Sequence, residues 1–163
     1  MERGTIAAFT TLIAEDHDDF RRLVRAQLEG KTQCSAIVEA SDGLQAIEQA
    51  KELQPELILL DLALPKLNGM DAARRIRKVS PHCKIVFLSQ DSSPEIVREA
   101  LRLGALGYLL KSDAIELPRA IDVILQDTED DPISFSIHTS VYISTSHTHI
   151  PVNEREGAGK EMV

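Results

Sequence analysis

Short apolar runs recur at intervals along the first two thirds of the chain. The five runs are TTLIA (10–14), CSAIV (34–38), LILL (57–60), KIVFL (84–88) and GYLL (107–110). Each run is continuous rather than alternating in polarity, which is typical of strands that are covered on both faces. The pattern therefore predicts five largely buried strands.

Helical periodicity fills the stretches between the runs, where apolar residues return every three or four positions. The stripes are Phe20, Leu23, Val24 and Leu28; Leu44, Ile47, Ala50 and Leu53; Met70, Ala73, Ile76 and Val79; Ile96, Val97, Ala100, Leu101 and Leu103; and Ile115, Leu117, Ile121, Ile124 and Leu125. Asp42, Asn68 and Ser93 followed by Pro94 are typical first residues of helices. Strand–helix alternation repeated five times predicts an α/β fold, a doubly wound parallel sheet with helices on both sides.

The charge and composition of the chain change near Asp127. Residues 127–163 carry seven acids and two bases, which accounts for −5 of the net charge of −8. We therefore expect one domain over residues 1–126, followed over residues 127–163 by an acidic linker and a tail rich in Ser, Thr and His.

Apolar and polar side chains alternate in part of this tail, between residues 134 and 150. Four odd positions are apolar: Phe135, Ile137, Val141 and Ile143. The alternation favours one or two exposed strands, although the Ser and Thr content is also typical of disorder. We expect such strands to pair with an exposed sheet edge, of this chain or of a neighbour. A transition-metal site is a weaker alternative. Its candidate ligands are His138, His147 and His149.

Composition narrows the classes of function. The hydrophobic content of 43% supports a packed core, while the net charge of −8 argues against binding to a nucleic-acid backbone. No apolar run approaches the roughly 18 residues that a membrane span needs. Cys34 and Cys83 begin apolar runs and are interpreted as buried free thiols, so we expect a cytoplasmic protein without membrane contact.

Charged and polar residues follow four of the five predicted strands. Glu15 and Asp16 follow the first, Asp61 ends the third, Ser89 ends the fourth and Lys111 follows the fifth. In a doubly wound sheet, ligands bind beyond the carboxyl ends of the strands. With strand order 2-1-3-4-5, these side chains would line one crevice, with Lys111 reaching in from the edge.

Several carboxylates in one crevice repel one another, so the crevice needs positive charge to compensate. Two charges about 4 Å apart repel by roughly 4 kcal/mol at an effective dielectric constant near 20. Mg²⁺ prefers oxygen ligands and usually takes one or two carboxylates, and Lys111 supplies a further positive charge. An aspartate held in this way is poised to attack a phosphoryl group.

The residues around these positions resemble the receiver domain of two-component response regulators, the CheY-like family. The matching segments are LIAEDHDDFRRLVRAQL, LILLDLALPKLNGMDAARRIR, IVFLSQDS and ALGYLLKSDA, which together extend over about residues 10–126. The sequences of these segments are most similar to those of the NarL/FixJ subfamily. The resemblance implies a flavodoxin-like (βα)₅ fold and a signalling role.

The resemblance also implies roles for individual residues. Asp61 would accept a phosphoryl group from a sensor histidine kinase or a phosphotransfer protein. Asp16 and Asp61 would bind Mg²⁺ directly, Glu15 would act through water, and the backbone carbonyl of Ala63 would be a further ligand.

Three further residues would respond to the phosphoryl group. Ser89 would hydrogen-bond one of its oxygens, Lys111 would pair with its charge, and Tyr108 would turn inward as an aromatic switch. The surface formed by the fourth helix, fifth strand and fifth helix would then bind a downstream protein or a second copy of the chain. The chain would be a phosphoacceptor and not an enzyme, with at most self-phosphotransfer and autodephosphorylation.

Departures from the family pattern leave alternatives open. Gln90 follows Ser89 where a small residue is usual, and it would screen the pocket and slow phosphotransfer or hydrolysis. The residues after Gln126 show no helix-turn-helix pattern, so we expect no direct DNA binding, and a truncated NarL/FixJ regulator is one alternative. A pseudo-receiver that acts without phosphorylation is another. A haloacid-dehalogenase-like phosphatase also uses a strand-end aspartate, but Ala63 stands where it needs a second one.

Overall fold

The fold is an alternation of strands and helices, seen here in a computed structural model that describes residues 7–31, 33–126 and 141–143. The strands are β1 Phe9–Ala14, β2 Cys34–Ala40, β3 Leu57–Asp61, β4 Lys84–Ser89, β5 Gly107–Leu110 and β6 Val141–Ile143. The helices are α1 Asp18–Glu29, α2 Gly43–Leu53, α3 Gly69–Val79, α4 Pro94–Arg102 and α5 Leu117–Gln126, with a 3₁₀ helix at Lys111–Glu116.

One sheet organises the described residues. Its strand order is β2-β1-β3-β4-β5-β6, in which the first five strands are parallel and β6 is antiparallel to β5. The predicted α/β fold and the order 2-1-3-4-5 are confirmed. Parallel pairing places the carboxyl ends of β1, β3, β4 and β5 at the same edge, which is where the predicted site residues follow their strands.

The core consists of an apolar layer on each face of the sheet. One layer contains the apolar sides of α2, α3 and α4, and the other contains those of α1 and α5. Strand β3 lies in the centre, and all five of its residues are buried. Its continuous apolar run is therefore explained by helices that cover both faces.

Three apolar residues of the predicted helix stripes are exposed instead of buried. The exposed fractions are 48% for Leu23, 47% for Leu44 and 82% for Ile115. Ile115 lies in the 3₁₀ helix, whose shorter period moves it off the face that α5 presents to the core. Cys34 and Cys83 are free as expected, but only Cys83 is buried, because β2 is an outer strand.

Strand β6 confirms, for residues 141–143, that the tail forms a strand on an exposed edge of this chain's own sheet. The alternation of the tail has its apolar residues mostly at odd positions, and Tyr142 is at an even one. Tyr142 is nevertheless buried, with 7% exposure, while Ile143 packs against the other layer, because both faces of a strand beside β5 meet apolar side chains. The remaining tail, including Phe135, Ile137 and the three histidines, lies outside the described residues.

Two helix caps confirm the predicted starts. The side chains of Asp42 and Asn68 accept hydrogen bonds from the backbone N–H groups of Gln45 and Asp71. Pro94 opens α4, but the Ser93 side chain makes no capping bond. Within the described ranges, no helix combines the length and the apolar character that a membrane crossing would require.

Gly69 controls how closely the loop after β3 returns to Asp61. A Cβ atom at this position would lie 2.4 Å from the Asp61 carbonyl oxygen and 2.8 Å from the Leu62 Cα. We expect Gly69→Ala to lower the free energy of unfolding by about 1–3 kcal/mol, the usual cost of overpacking. Urea unfolding measures the effect. Gly30→Ala is the control, because its nearest contact would be 3.5 Å away, and an equal loss in both variants would contradict the steric explanation.

Candidate functional site

The carboxyl edge of the sheet brings the predicted polar residues together. Lys111, directly after β5, places its Nζ 3.1 Å from Asp61 Oδ2 at the end of β3. The same Nζ lies 3.0 Å from Glu15 Oε1 and 2.9 Å from Glu15 Oε2, after β1. Three strands that are distant in sequence therefore contribute to one charged cluster.

Asp61 is held in place from its own loop. Its side chain is 1% exposed, and its Oδ1 accepts a hydrogen bond of 3.0 Å from the backbone N–H of Ala63. A buried carboxylate in an apolar strand is costly unless it is paired and hydrogen-bonded. Here Lys111 supplies the opposite charge and Ala63 supplies the hydrogen bond, so both requirements are met.

Four residues place metal-ligand atoms within 4.8 Å of one another: Glu15, Asp16, His17 and Asp61. Among the described residues, three buried oxygens of this group have no partner of hydrogen-bond geometry, namely Glu15 Oε2, Asp16 Oδ1 and Asp61 Oδ2, although the Lys111 ammonium lies close to the first and the last. Converging oxygens whose hydrogen-bonding capacity is not used up suit a hard divalent cation. The donor set therefore fits Mg²⁺.

Burial and neighbouring charges shift the protonation equilibria of the cluster. Burial raises the pKa of Glu15 and the Asp61 charge raises it further, against the opposing hydrogen bond from Lys111. Burial alone would lower the pKa of Lys111, but its hydrogen bond to Glu15 and the charges of both carboxylates raise it overall. The charged form of Lys111 is therefore stabilised by its neighbours. The charged form of Glu15 is disfavoured by burial and by the Asp61 charge.

Ser89 and Tyr108 are connected through the loop after β4. Ser89, 3% exposed, accepts a hydrogen bond of 2.9 Å at its Oγ from the backbone N–H of Asp91. The buried Tyr108 donates its hydroxyl hydrogen to the carbonyl oxygen of the same Asp91. Burial raises the pKa of Tyr108, so its hydroxyl keeps the proton that this bond needs.

Several residues around the cluster were not predicted from the sequence. His17 donates its backbone N–H to Glu15 Oε1, and Arg21 donates to the Glu15 carbonyl oxygen at 2.8 Å. The Lys111 ammonium lies 5.0 Å from the centre of the Phe20 ring. The position of Arg21 one turn after His17 on α1 is the only sequence signal for these contacts, and it is weak.

A family model for the response regulator receiver domain matches residues 11–122 of the chain. The chain belongs to the response regulator receiver domain family. It is therefore a receiver of the two-component type, and receivers are phosphoacceptors rather than enzymes of the usual kind. Members of the family generally bind Mg²⁺ in an acidic pocket, which agrees with the donor set described above.

Curated relatives place this receiver among response regulators. It is 40% identical over 102 residues to the nitrate/nitrite response regulator NarL of Escherichia coli K12, a match that covers 63% of this chain and 47% of NarL. It is 34% identical over 116 residues to DegU of Brevibacillus brevis, with 71% and 49% covered. The receiver thus spans about half the length of these relatives. The chemotaxis protein CheY of Thermotoga maritima is 32% identical over 96 residues, with 59% of this chain and 80% of CheY covered.

Solved structures show the same fold. The signal receiver domain of a NarL regulator from Mycobacterium tuberculosis has a TM-score of 0.67 at 28% identity, covering 75% of this chain and 99% of that one. A LuxR-family response regulator from Aurantimonas sp. SI85-9A1 has a TM-score of 0.68 at 29% identity, with 73% and 86% covered.

The unfavourable environment of the Glu15 charge leads to a prediction for the receiver. We expect Glu15→Gln, measured by urea unfolding in EDTA, to be at least as stable as the wild type. The reason is that the variant removes a charge whose raised pKa shows it to be disfavoured. Added Mg²⁺ should stabilise the variant less than the wild type. Glu29→Gln, on the exposed part of α1, is the control, and a large loss confined to Glu15→Gln would contradict this interpretation.

Proposed function

We propose that this receiver accepts a phosphoryl group on Asp61 from a phosphohistidine of a sensor histidine kinase or a phosphotransfer protein. A carboxylate oxygen of Asp61 would form the new bond to phosphorus while the bond between phosphorus and the histidine nitrogen breaks. The observation that carries the proposal is the convergence of Asp61, Lys111 and the Glu15–Asp16 pair. It joins a nucleophile, a fixed cation and a cation-binding set in one pocket.

Lys111 has a defined task in this reaction. Its ammonium already lies 3.1 Å from Asp61 Oδ2, so it can pair with a phosphoryl oxygen next to that carboxylate without a large movement. The ammonium also lies over the Phe20 ring, 5.0 Å from its centre, which favours this position of the charge. The charge that develops on the phosphoryl oxygens therefore meets a cation that is oriented before the reaction.

Mg²⁺ would be held by Asp16 and Asp61 directly, by Glu15 through water and by the backbone carbonyl of Ala63. When bound, it supplies positive charge that lowers the repulsion between the carboxylates and the incoming phosphoryl group. Asp16 is the most accessible carboxylate of the three, with 32% of its side chain exposed, and thus offers the entry point for a cation.

Ser89 and Tyr108 would carry the signal away from Asp61. Phosphorylation adds a charge of about −1.5 to −2 and three acceptor oxygens. The Ser89 hydroxyl would donate to one of them. Ser89 held in this way would fix Asp91, whose carbonyl accepts the hydrogen bond from Tyr108. The surface of α4, β5 and α5, which includes β6 on the outer edge of β5, would then bind a downstream protein or a second copy of the receiver.

Gln90 bears on the rate of this chemistry. It is exposed at the rim of the pocket, where it lines a groove together with Lys111. Its amide would partly screen Asp61 from donors and from water, so both phosphotransfer and hydrolysis would be slow.

Incubation with Mg²⁺ and acetyl phosphate, followed by intact-mass measurement, tests the proposal. The expected result is the gain of one phosphoryl group per chain, which disappears when EDTA replaces Mg²⁺. No gain with acetyl phosphate or with other small phosphodonors would overturn the proposal. That outcome would favour a receiver that acts as an interaction module without phosphorylation.

A further inference from the structure

Strand β6 covers a position that would otherwise be the edge of the parallel sheet. Its three residues pair with β5 in the register Gly107 with Ile143, Tyr108 with Tyr142 and Leu109 with Val141. The partner of Tyr142 is thus the same tyrosine whose hydroxyl contacts the loop after β4. The tail strand and the proposed switch residue are direct neighbours.

An aromatic row crosses three strands at this point. Phe87 on β4 pairs in register with Tyr108 on β5, and the two ring centres are 6.5 Å apart. The rings of Tyr108 and Tyr142 are 6.2 Å apart and meet edge to face, at 74°. Such aromatic contacts favour one orientation of each ring. Tyr142 therefore supports the buried orientation of Tyr108.

A short series of contacts joins this row to the phosphoacceptor pocket. Ser89 Oγ accepts from the Asp91 N–H, the Asp91 carbonyl accepts from Tyr108, and the Tyr108 ring packs on Tyr142. A hydroxyl oxygen that accepts one hydrogen bond still has its own proton to donate. Ser89 can consequently donate to a phosphoryl oxygen without giving up its bond to Asp91.

We propose that β6 is a built-in ligand of the β5 edge and that its docking and phosphorylation of Asp61 favour each other through Tyr142, Tyr108 and Ser89. This inference rests on the proposed function. A phosphoryl group that holds Ser89 fixes Asp91 in the position that Tyr108 needs, and Tyr108 in that orientation offers its ring to Tyr142. By linkage, a docked β6 then strengthens binding at the pocket by the same factor.

The tyrosine content of the chain makes the coupling measurable. Tyr108 and Tyr142 are its two tyrosines, and it has no tryptophan. Full-length protein carrying 3-fluorotyrosine should therefore give two ¹⁹F NMR signals, which Tyr142→Phe assigns. The probe is beryllofluoride, a phosphoryl mimic, added with Mg²⁺. We expect both signals of the wild type to shift together as the pocket fills.

Affinity for beryllofluoride then separates the possible outcomes. We expect Tyr142→Ala to bind it at least about fivefold more weakly than the wild type, within the usual range of coupling between sites. Tyr142→Phe keeps the ring and should bind as the wild type does. Hydrogen exchange at residues 141–143 should slow when beryllofluoride binds.

Two failures are distinguishable. If the wild type neither binds beryllofluoride nor gains a phosphoryl group, the proposed function is wrong and the inference is wrong with it. If the wild type does both but Tyr142→Ala binds beryllofluoride as tightly, the inference alone is overturned. Coupling that appears only at concentrations where the protein dimerises would also overturn it, because β6 would then be docking on a second copy.

Discussion

Asp61→Asn is expected to abolish the Mg²⁺-dependent gain of a phosphoryl group from acetyl phosphate. An amide oxygen is a poor nucleophile toward phosphorus, and the variant removes a carboxylate from the cation-binding set. The fold should survive, because an asparagine oxygen can still accept the hydrogen bond from the Ala63 N–H and Lys111 keeps its contacts with Glu15. Intact mass and trypsin fragment masses measure the result.

Asp122→Asn is the matched control for this experiment. Asp122 lies on α5 with 47% of its side chain exposed, and it pairs with Lys31 away from the pocket. Its replacement makes the same chemical change without touching the cluster, so modification should proceed as in the wild type. A phosphoryl gain that persists in Asp61→Asn would identify another residue as the acceptor and contradict the proposed function.

Lys111→Met is expected to destabilise the protein by about 3 kcal/mol in the absence of divalent cations, because removing one partner leaves buried charges uncompensated. Glu15 and Asp61 are 0% and 1% exposed, and Lys111 contacts both. Met is chosen because it retains most of the apolar length of the lysine stem. Urea unfolding in EDTA measures the loss.

Mg²⁺ should restore part of this stability, since a cation that binds only the folded state stabilises it by mass action. The control is Lys66→Met, because Lys66 is 64% exposed and its contact with Asp42 is 3.4 Å. Because the lysine end of this pair is exposed to solvent and Asp42 keeps its hydrogen bond from the Gln45 N–H, we expect the pair to contribute about 0–1 kcal/mol. If Lys111→Met is as stable as the wild type in EDTA, the two carboxylates do not depend on Lys111 for compensation.

The sheet could be predicted from the sequence because its strands are buried on both faces. LILL and GYLL are continuous apolar runs, and few structures other than a parallel sheet covered by helices bury such runs between helical stripes. The helix caps at Asp42 and Asn68 were equally local features, since each side chain bonds the backbone three residues later. Local chemistry and the global fold agree at all these positions.

The site followed from the same reasoning. Once the strand order was expected, the position of each polar residue at a strand end decided which side chains would meet. The distances between Lys111, Glu15 and Asp61 agree with that expectation. Their roles in phosphoryl transfer stay predictions that the variants above can test.

The failures occurred where the local pattern does not contain the deciding information. Ile115 fits a helical stripe, but its backbone belongs to a 3₁₀ turn, which the period of the stripe cannot reveal. Tyr142 lies between Val141 and Ile143, at an even position of the alternating stretch, and its buried ring meets Tyr108, more than thirty residues earlier. Arg21 lies on α1 and His17 directly before it, and each donates to an oxygen of Glu15, outside that helix.

The two borders of the sheet are protected from self-aggregation in different ways. Unpaired backbone groups along a long, flat border invite another molecule to add a strand, and very short or charged outer strands discourage it. On one side the outer strand is β6, which has three residues. On the other side β2 carries Glu39, which forms an ion pair with Arg25 at 3.1 Å. Neither border in the described part of the molecule therefore offers a long apolar strand on which a second molecule could add.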